Sequence, residues 1–321
     1  MTQYILRRLL LVLPLVLGIT IITFTIINLA PGDPITAMLD PQEMRQLTSA
    51  DIEQRRVELG LNQPIPVRYL IWVREALHGN LGYSIQEKRP VAEMVLEKLP
   101  ASLALSLPSI LIAMTLGVGL GVLAALRQYS LFDYLATAAA FFGVSVPGFF
   151  FAFMGMYLLG VKLQVLPIFG MWTPGQPTEI NLDLVHHAVL PVAALAIAHV
   201  AGYMRYARAA MLDSLAAEYV VTARAKGISE VAVQWVHVFR NALLPLVTIA
   251  GLALPTLIGG SFVIETIFSW PGVGLLGYTA ILQRDYPLQM GIALMSAVAV
   301  LLANLVTDIA YCFVDPRIRY D

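Results

Sequence analysis

ASLALSLPSILIAMTLGVGLGVLAAL, residues 101–126, runs for 26 residues without a charged side chain. A helix rises about 1.5 Å per residue and the hydrocarbon core of a bilayer is about 30 Å thick, so roughly 20 apolar residues cross it. This run exceeds that length. Within it, Gly117-x-x-x-Gly121 presents a small-residue face on which another helix can pack closely. The stretch reads as a membrane span with a close partner, and it sets the class of the whole chain.

Five further runs read the same way, at 9–29, 134–161, 184–204, 241–264 and 287–313. The first is an uncleaved span rather than a signal peptide, because its 21 uncharged residues outrun an h-region and Ala30-Pro31 makes a poor cleavage site. Pro147 predicts a kink in the third span, and Pro191, Pro245 and Pro255 predict bends in the fourth and fifth. With 321 residues, 58% of them hydrophobic, and a mean hydropathy of +0.75, a soluble globular protein is excluded. A net charge of −1 gives no basic surface for nucleic acid. The single cysteine, Cys312, excludes an internal disulfide and a Cys-based metal cluster, and it reads as a small core hydrophobe. The expected fold class is therefore an all-α integral membrane protein with six transmembrane helices.

Residues 30–100 form a polar insert of ten acids and eight bases. Thr48-x-x-Asp51 predicts a capping box for a helix ending near Gly60. A second helix runs to about His78 and stops at Gly79, and a third is expected from Pro90 to just before Pro100. Outside this insert, ten Lys and Arg fall on the side of the N-terminus and two, Lys162 and Arg284, on the other. The positive-inside rule then places both termini in the cytoplasm and the insert outside.

Between the fourth and fifth spans, in the loop 205–240, lies Glu218-Tyr219-Val220-Val221-Thr222-Ala223-Arg224-Ala225-Lys226-Gly227. Three of these ten residues are charged, in a chain with 13% charged residues. Good helix formers predict a short helix from Glu218 to Lys226 with Gly227 as its C′ stop. Glu218 suits the positive end of the helix dipole, and Arg224 and Lys226 the negative end. Tyr219, Ala223 and Gly227 fall at i, i+4 and i+8, a face with small residues over which another protein could lie close. A plain juxtamembrane loop, basic because it is cytoplasmic, accounts for the same residues on physical grounds.

The run EYVVTARAKG, with His237 and Arg240-Asn241-Ala242-Leu243-Leu244-Pro245 after it, resembles the EAA loop of ABC-importer permeases. Pro245 lies 18 residues beyond Gly227, the longer spacing of the dipeptide, oligopeptide and nickel importer class. Tyr4-Ile5-Leu6-Arg7-Arg8, Pro31-Gly32-Asp33-Pro34, Leu59-Gly60-Leu61, Gly79-Asn80-Leu81-Gly82 and Asp315-Pro316-Arg317-Ile318-Arg319-Tyr320 resemble the same class. So does Glu265-Thr266-Ile267-Phe268-Ser269-Trp270-Pro271-Gly272. The resemblance implies the type I ABC importer permease fold in a bacterial inner membrane. It implies that Glu218, Tyr219, Thr222, Ala223, Arg224, Ala225, Lys226 and Gly227 form a coupling helix docked on a separate ATPase. The implied partners are a second homologous permease subunit, two ATPase subunits and an extracytoplasmic solute-binding protein. ATP and Mg²⁺ would then bind the ATPases, with no cofactor in this chain. Peptides are the expected substrate, with nickel chelates, glutathione and oligosaccharides as alternatives.

The remaining motifs each carry two readings. Glu265, Phe268, Trp270, Pro271 and Gly272 are candidate contacts for a gate or for the binding protein, or a structural turn. Gly272-x-Gly274-x-x-Gly277 matches a dinucleotide fingerprint in letters, but it follows a membrane helix rather than a strand. His186, His187 and His199 invite a metal, yet His187 and His199 stand 12 apart where ligands stacked on one helix need three or four, so helix packing is the stronger reading. Asp308 lies inside an apolar run and is a candidate for proton relay or for pairing near the cytoplasmic end. No phosphate loop and no G-x-S-x-G elbow occurs in the sequence. The chain therefore reads as a transport subunit rather than an enzyme, with a proton-coupled secondary transporter as the alternative.

Overall fold

The computed structural model describes residues 2–29, 48–58, 60–175, 181–259 and 261–314. Within them, residues 2–13, 49, 55, 58, 244, 252, 254–259 and 308–314 are described by backbone alone. The readings placed on Pro31-Gly32-Asp33-Pro34, on 315–320 and on the side chains of Pro255, Asp308 and Cys312 lie outside the described residues. Among the described residues the chain is helical, and one isolated antiparallel bridge, Tyr83 with Pro90, is its only β pairing.

Helix α1 (Thr2–Leu29) is followed by two short helices of the insert, α2 (Ser49–Glu58) and α3 (Ile65–Leu77). Both arms of the capping box are present: Asp51 Oδ2 accepts from the Thr48 amide at 2.8 Å, and Thr48 Oγ1 accepts from the Asp51 amide at 3.3 Å. Gly60 and Gly79 take the positive φ values, 65° and 82°, that end these helices. Phe24, Tyr69 and Trp72 cluster where α3 leans on α1, with Tyr69 Oη 2.9 Å from Thr20 Oγ1.

The expected third helix of the insert and the second span are one element, α4 (Val91–Leu126), which runs through Pro100 and Pro108. The expected stop before Pro100 is corrected here. A proline removes one backbone bond, and within a bundle of neighbouring helices that loss does not end an apolar helix. The third span is broken rather than kinked: α5 (Leu131–Ser145) and α6 (Gly148–Gly155, prolonged by π-helical turns Met156–Lys162) meet at 97°. Val146, forced out of helical geometry by Pro147, has φ −93° and ψ 128°.

Helix α7 (Leu182–Leu215) continues eleven residues past the expected end of the fourth span, so 205–215 belong to it and not to the loop. The loop proper holds α8 (Glu218–Ala225). Glu230–Ala232 then leads through π-helical turns Val233–Val238 into α9 (Phe239–Gly259). The fifth span was expected to reach 264, but Phe262–Ile267 is a separate short helix, α10, entered through Ser261. Helices α11 (Val273–Leu282) and α12 (Tyr286–Val314) close the chain. Among the described residues three helices, α4, α7 and α12, are long and apolar enough to cross a membrane, and the bent α5–α6 pair makes a fourth by length and composition.

The most extensive helix–helix contact joins α4 to α7. The glycine face predicted from 117 and 121 is its centre. A Cβ on Gly117 would stand 2.7 Å from Tyr203 Cβ and 2.8 Å from the Val200 carbonyl oxygen. A Cβ on Gly121 would strike the Met204 carbonyl and stand 2.7 Å from Ala207 Cβ. Arg208 of α7 also grips Asp133 at the start of α5 through two bonds of 2.6 and 2.8 Å. Replacing Gly121 by Val is expected to destabilise the chain by about 1–3 kcal/mol, the usual range for overpacking. A lowered thermal midpoint of the detergent-purified protein would record it, and Gly119→Val, where nothing lies within 4 Å of the added Cβ, is the matched control with little effect.

Candidate functional site

Two of the sequence-selected segments become concrete sites, and both are mounted on the α4–α7 pair. Helix α8 ends in a Schellman motif: the Gly227 amide donates to the Arg224 carbonyl at 2.9 Å and the Ile228 amide to the Ala223 carbonyl at 3.3 Å. Gly227 supplies the left-handed φ of 74° that this closure needs, with no atom near its missing Cβ. Its requirement is conformational, not steric.

The facing of α8 corrects the sequence reading. Val220 and Ala223 point into the chain's own core, against Val122 and Ala125 of α4, Ala210 and Met211 of α7, and Val233, Val238 and Ala242. Ala223 is 7% exposed and so is not part of an open small-residue face. Helical phase then turns Glu218, Val221, Thr222 and Ala225 outward, with Tyr219, Arg224 and Lys226 on the flanks, all exposed. Val221 was missed by sequence reasoning. The adjacent valines 220 and 221 carry no mark of which one packs inward. Arg224 forms a bidentate pair with Glu230 at 3.0 and 2.6 Å, clipping the end of α8 to the next helix. Beside this core, an apolar cavity of about 550 Å³ lies between α4 and α9, lined by Met114, Val118, Val122, Phe239 and Leu246 among others.

The second site is the turn after α10. Phe268 and Trp270 are buried, Trp270 completely, and Glu265 is 1% exposed. Accordingly, Glu265, Phe268 and Trp270 offer no surface for a binding protein in this chain, Gly272 is buried and Pro271 half-buried. The structure makes them the inner scaffold of a turn. The Glu265 carboxylate collects the Ser102 hydroxyl at 2.9 Å, the Ser261 amide at 3.2 Å and the Leu275 amide at 3.0 Å. Leu275 belongs to the first turn of α11, so the carboxylate sits on that helix's positive end. Ser102 also accepts from the Val273 amide at 2.8 Å, and Trp270 Nε1 donates to the Ala101 carbonyl at 2.8 Å.

The glycines follow from this arrangement. A Cβ on Gly272 would fall on the Glu265 carboxylate and the Ser102 hydroxyl, and one on Gly274 would stand 2.8 Å from the Phe262 amide. Two of the three glycines in the dinucleotide-like letters, Gly272 and Gly274, are the close-approach glycines of a helix cap, and Gly277 meets only ordinary contacts. Sequence reasoning missed Ser102, because it lies 163 residues from the carboxylate it serves.

A third buried carboxylate was also missed. Asp285 caps α12 by accepting from the Leu288 amide at 3.2 Å and bonds Ser84 of the insert. Asp285-Tyr286-Pro287, an acid before an early-turn proline, was the available signal. His186 Nε2 meets the Val165 carbonyl at 3.0 Å, His187 Nδ1 meets its own helix at Asp183 O at 2.9 Å, and His199 stacks on Tyr203. Among the described residues no three metal-ligating side chains come together.

The chain matches two family models. Residues 117–320 fit the binding-protein-dependent transport system inner membrane component, and residues 1–106 fit the N-terminal model of such membrane components. The chain belongs to this family. Its fold is accordingly the type I ABC importer permease fold, and it is a multi-pass membrane protein. Among its relatives, an oligopeptide transport system permease protein of Bacillus subtilis is 45% identical over all of both chains. A putative peptide permease protein of Brucella suis is 41% identical over 99% of both. A dipeptide transport system permease protein of Escherichia coli is 36% identical over all of this chain and 99% of its own.

Two outcomes test these sites. Glu265→Gln places an amide donor among backbone donors, so a loss of about 1–3 kcal/mol is expected, the cost of a buried unsatisfied group. Thermal unfolding would read it, with Ser102→Ala giving a smaller loss. The hydrogen bonds from Arg224 hold the Glu230 carboxyl below its ordinary value of 4.5. Because the folded value is depressed, the clip is intact above that ordinary value and weakens as pH falls through the lower one. Hydrogen exchange across 224–232 should therefore rise on acidification relative to Glu230→Gln, which has no clip to lose.

Proposed function

We propose that this chain is one of two transmembrane subunits of an ATP-driven importer of di- and oligopeptides, in a bacterial inner membrane with both termini cytoplasmic and six spans. A second, homologous permease subunit completes the pathway, two ATPase subunits bind ATP and Mg²⁺, and an extracytoplasmic solute-binding protein delivers the peptide. The chain itself does no bond chemistry. The names of its relatives support the substrate class.

The observation that carries the reading is the mounting of α8. Its outward residues Glu218, Val221, Thr222 and Ala225 are free to meet a partner, while Val220 and Ala223 key it into α4 and α7. A partner that moves α8 thereby moves two long helices as a unit, the kind of rigid-body shift that alternates access. The alternative of proton coupling rested on Asp308, whose side chain is outside the described residues, and no described group favours it.

Co-expression with the flanking genes, followed by detergent purification, tests the reading. Co-purification of a second permease and of ATPases whose hydrolysis responds to this chain is expected. Val221→Asp should leave the chain inserted yet reduce ATPase co-purification. Gly227→Ala should impair coupling, whereas Gly227→Asn, tolerant of the left-handed region, should retain more of it. A solitary chain, indifferent to ATP with intact partners present, would sink the proposal.

A further inference from the structure

The cavity of about 550 Å³ between α4 and α9 is bounded at both ends by packed side chains. On the side of the Glu265 turn, Ile110 and Ala113 of α4 share a cluster with Ala253 of α9, and on the side of α8, Val122 and Ala125 share one with Ala242. Between these two points the helices stand apart, with Val118, Gly119 and Val122 on one wall and Phe239, Leu246 and Ala250 on the other. From Met114 to Leu123 the α4 wall rises about 14 Å at 1.5 Å per residue, close to half of a bilayer core.

Gly119 is the residue on these walls that the fold does not explain. The approach of α7 requires Gly117 and Gly121, but an added Cβ at Gly119 has nothing within 4 Å, and its backbone is not left-handed. Glycine is among the poorest helix formers, so neither packing nor backbone geometry accounts for it here. What the missing side chain preserves is room in the cavity. The walls are also chemically uniform. Among the described residues no charged side chain lines them, and the Thr115 hydroxyl is engaged by the Leu111 carbonyl of its own helix at 2.8 Å. Such a surface is complementary to an apolar group and penalises a polar one.

The wall that the cavity shares with α8 selects among apolar occupants. Val122 lines the cavity and is also buried in one cluster with Val220 and Ala223 of α8, and Val118 and Phe239 pack on that same cluster. A displacement of α8 therefore changes the width of this cavity directly. A permanently docked helix would brace α4 against α9 and oppose that displacement, and a lipid chain would gain nothing from it. A cargo that enters and leaves is the occupant whose binding such a displacement can change, because its affinity then differs between the two positions. At the end nearest α8, the half-exposed Trp235 stands edge-on to Phe239, with centroids 5.5 Å apart, and forms the lip of the cavity.

We propose that this cavity receives an apolar side chain of the peptide in transit, and that Gly119 sets the size of side chain admitted. The inference rests on the importer reading above and adds to it a specificity-determining position. Movement of α8 against Val122 and Phe239 narrows or widens the chamber, so holding and release of the side chain follow the ATPase cycle.

The full importer complex, with its ATPases and binding protein, is reconstituted in vesicles, and ATP-driven uptake of dialanine and of diphenylalanine is measured. Each variant is compared with the wild type for the same peptide, so the preference of the binding protein cancels. Gly119→Leu and, from the opposite wall, Ala250→Leu are each expected to lower the rate for diphenylalanine about tenfold, the low end of what one misfit apolar group costs, and that for dialanine by less than about twofold. Leu116→Phe, on the exposed face of α4 away from the cavity, should change neither. An unchanged thermal midpoint separates a filled cavity from a misfolded chain. Equal loss for both peptides, or no loss for either, overturns the proposal. A second readout uses Gly119→Cys in a Cys312→Ala background, where labelling by a charged, water-soluble thiol reagent is expected to be slowed by diphenylalanine during turnover. Labelling by a membrane-permeant reagent alone would make the cavity an acyl-chain groove, and a cross-link from Gly119→Cys to the second permease would make it a subunit contact. Either result overturns the proposal. A wild-type complex that imports neither peptide would overturn the importer reading itself, and this inference with it.

Discussion

Between two helices in a lipid environment there is little hydrophobic gain to be had, because lipid tails are as apolar as the side chains they would replace. Close van der Waals approach is what remains, and at Gly117 and Gly121 the backbone of α4 comes near enough to α7 that a single methyl group would collide. The rest of the described structure is arranged on this contact. From Ser102 to Val122, α4 covers about 30 Å at 1.5 Å per residue, the thickness of a bilayer core. At one end the pair supports the core under α8, and at the other it supports the Glu265 turn through Ser102 and Ala101. One rigid element therefore touches both sites selected from the sequence.

Two of the three buried carboxylates among the described residues, Glu265 and Asp285, are tolerated for a shared reason, whereas Asp133 pairs with Arg208. Glu265 lies against the first turn of α11 and Asp285 against the first turn of α12, where unsatisfied amides and the helix dipole favour a negative charge. Neither requires a buried cation. Each also ties together segments far apart in the chain, Glu265 to Ser102 and Asp285 to Ser84. The polar interior of this protein works as fastening between α4, the insert and the last two helices.

What was legible in the sequence was local. The Thr48–Asp51 capping box, the glycine face at 117 and 121, and the stop at Gly227 all follow from spacing within one or two helical turns, and each has its bonds or contacts in place. Errors came where a local rule lacked its context. Pro100 reads as a stop by the rule for soluble helices, yet α4 passes through it. The small residues of α8 suggested an open face, but the same smallness lets Ala223 sit against α4 and α7. Glu265 and Trp270 carried two readings, a gate or binding-protein contact and a structural turn, and only the distant Ser102 and Ala101 show why they are interior. Pairings across 163 or more residues have no periodicity to reveal them.

The inward facing of Val220 and Ala223 bears on how a coupling helix could work at all. A helix held only by its ends would bend under load and pass little displacement to the spans. Here the load path is short: an outside push on Val221 or Ala225 meets Val220 and Ala223 on the opposite side of the same two turns, and these bear on Val122, Ala125, Ala210 and Met211. Interiors this closely packed transmit strain rather than absorb it. The Schellman closure at Gly227 and the Arg224–Glu230 clip fix the far end of α8, so rotation about its axis is opposed as well. Under the coupling proposed for this helix, displacement delivered at the outward face would pass into α4 and α7, the same pair that supports the turn braced by Glu265 and Trp270.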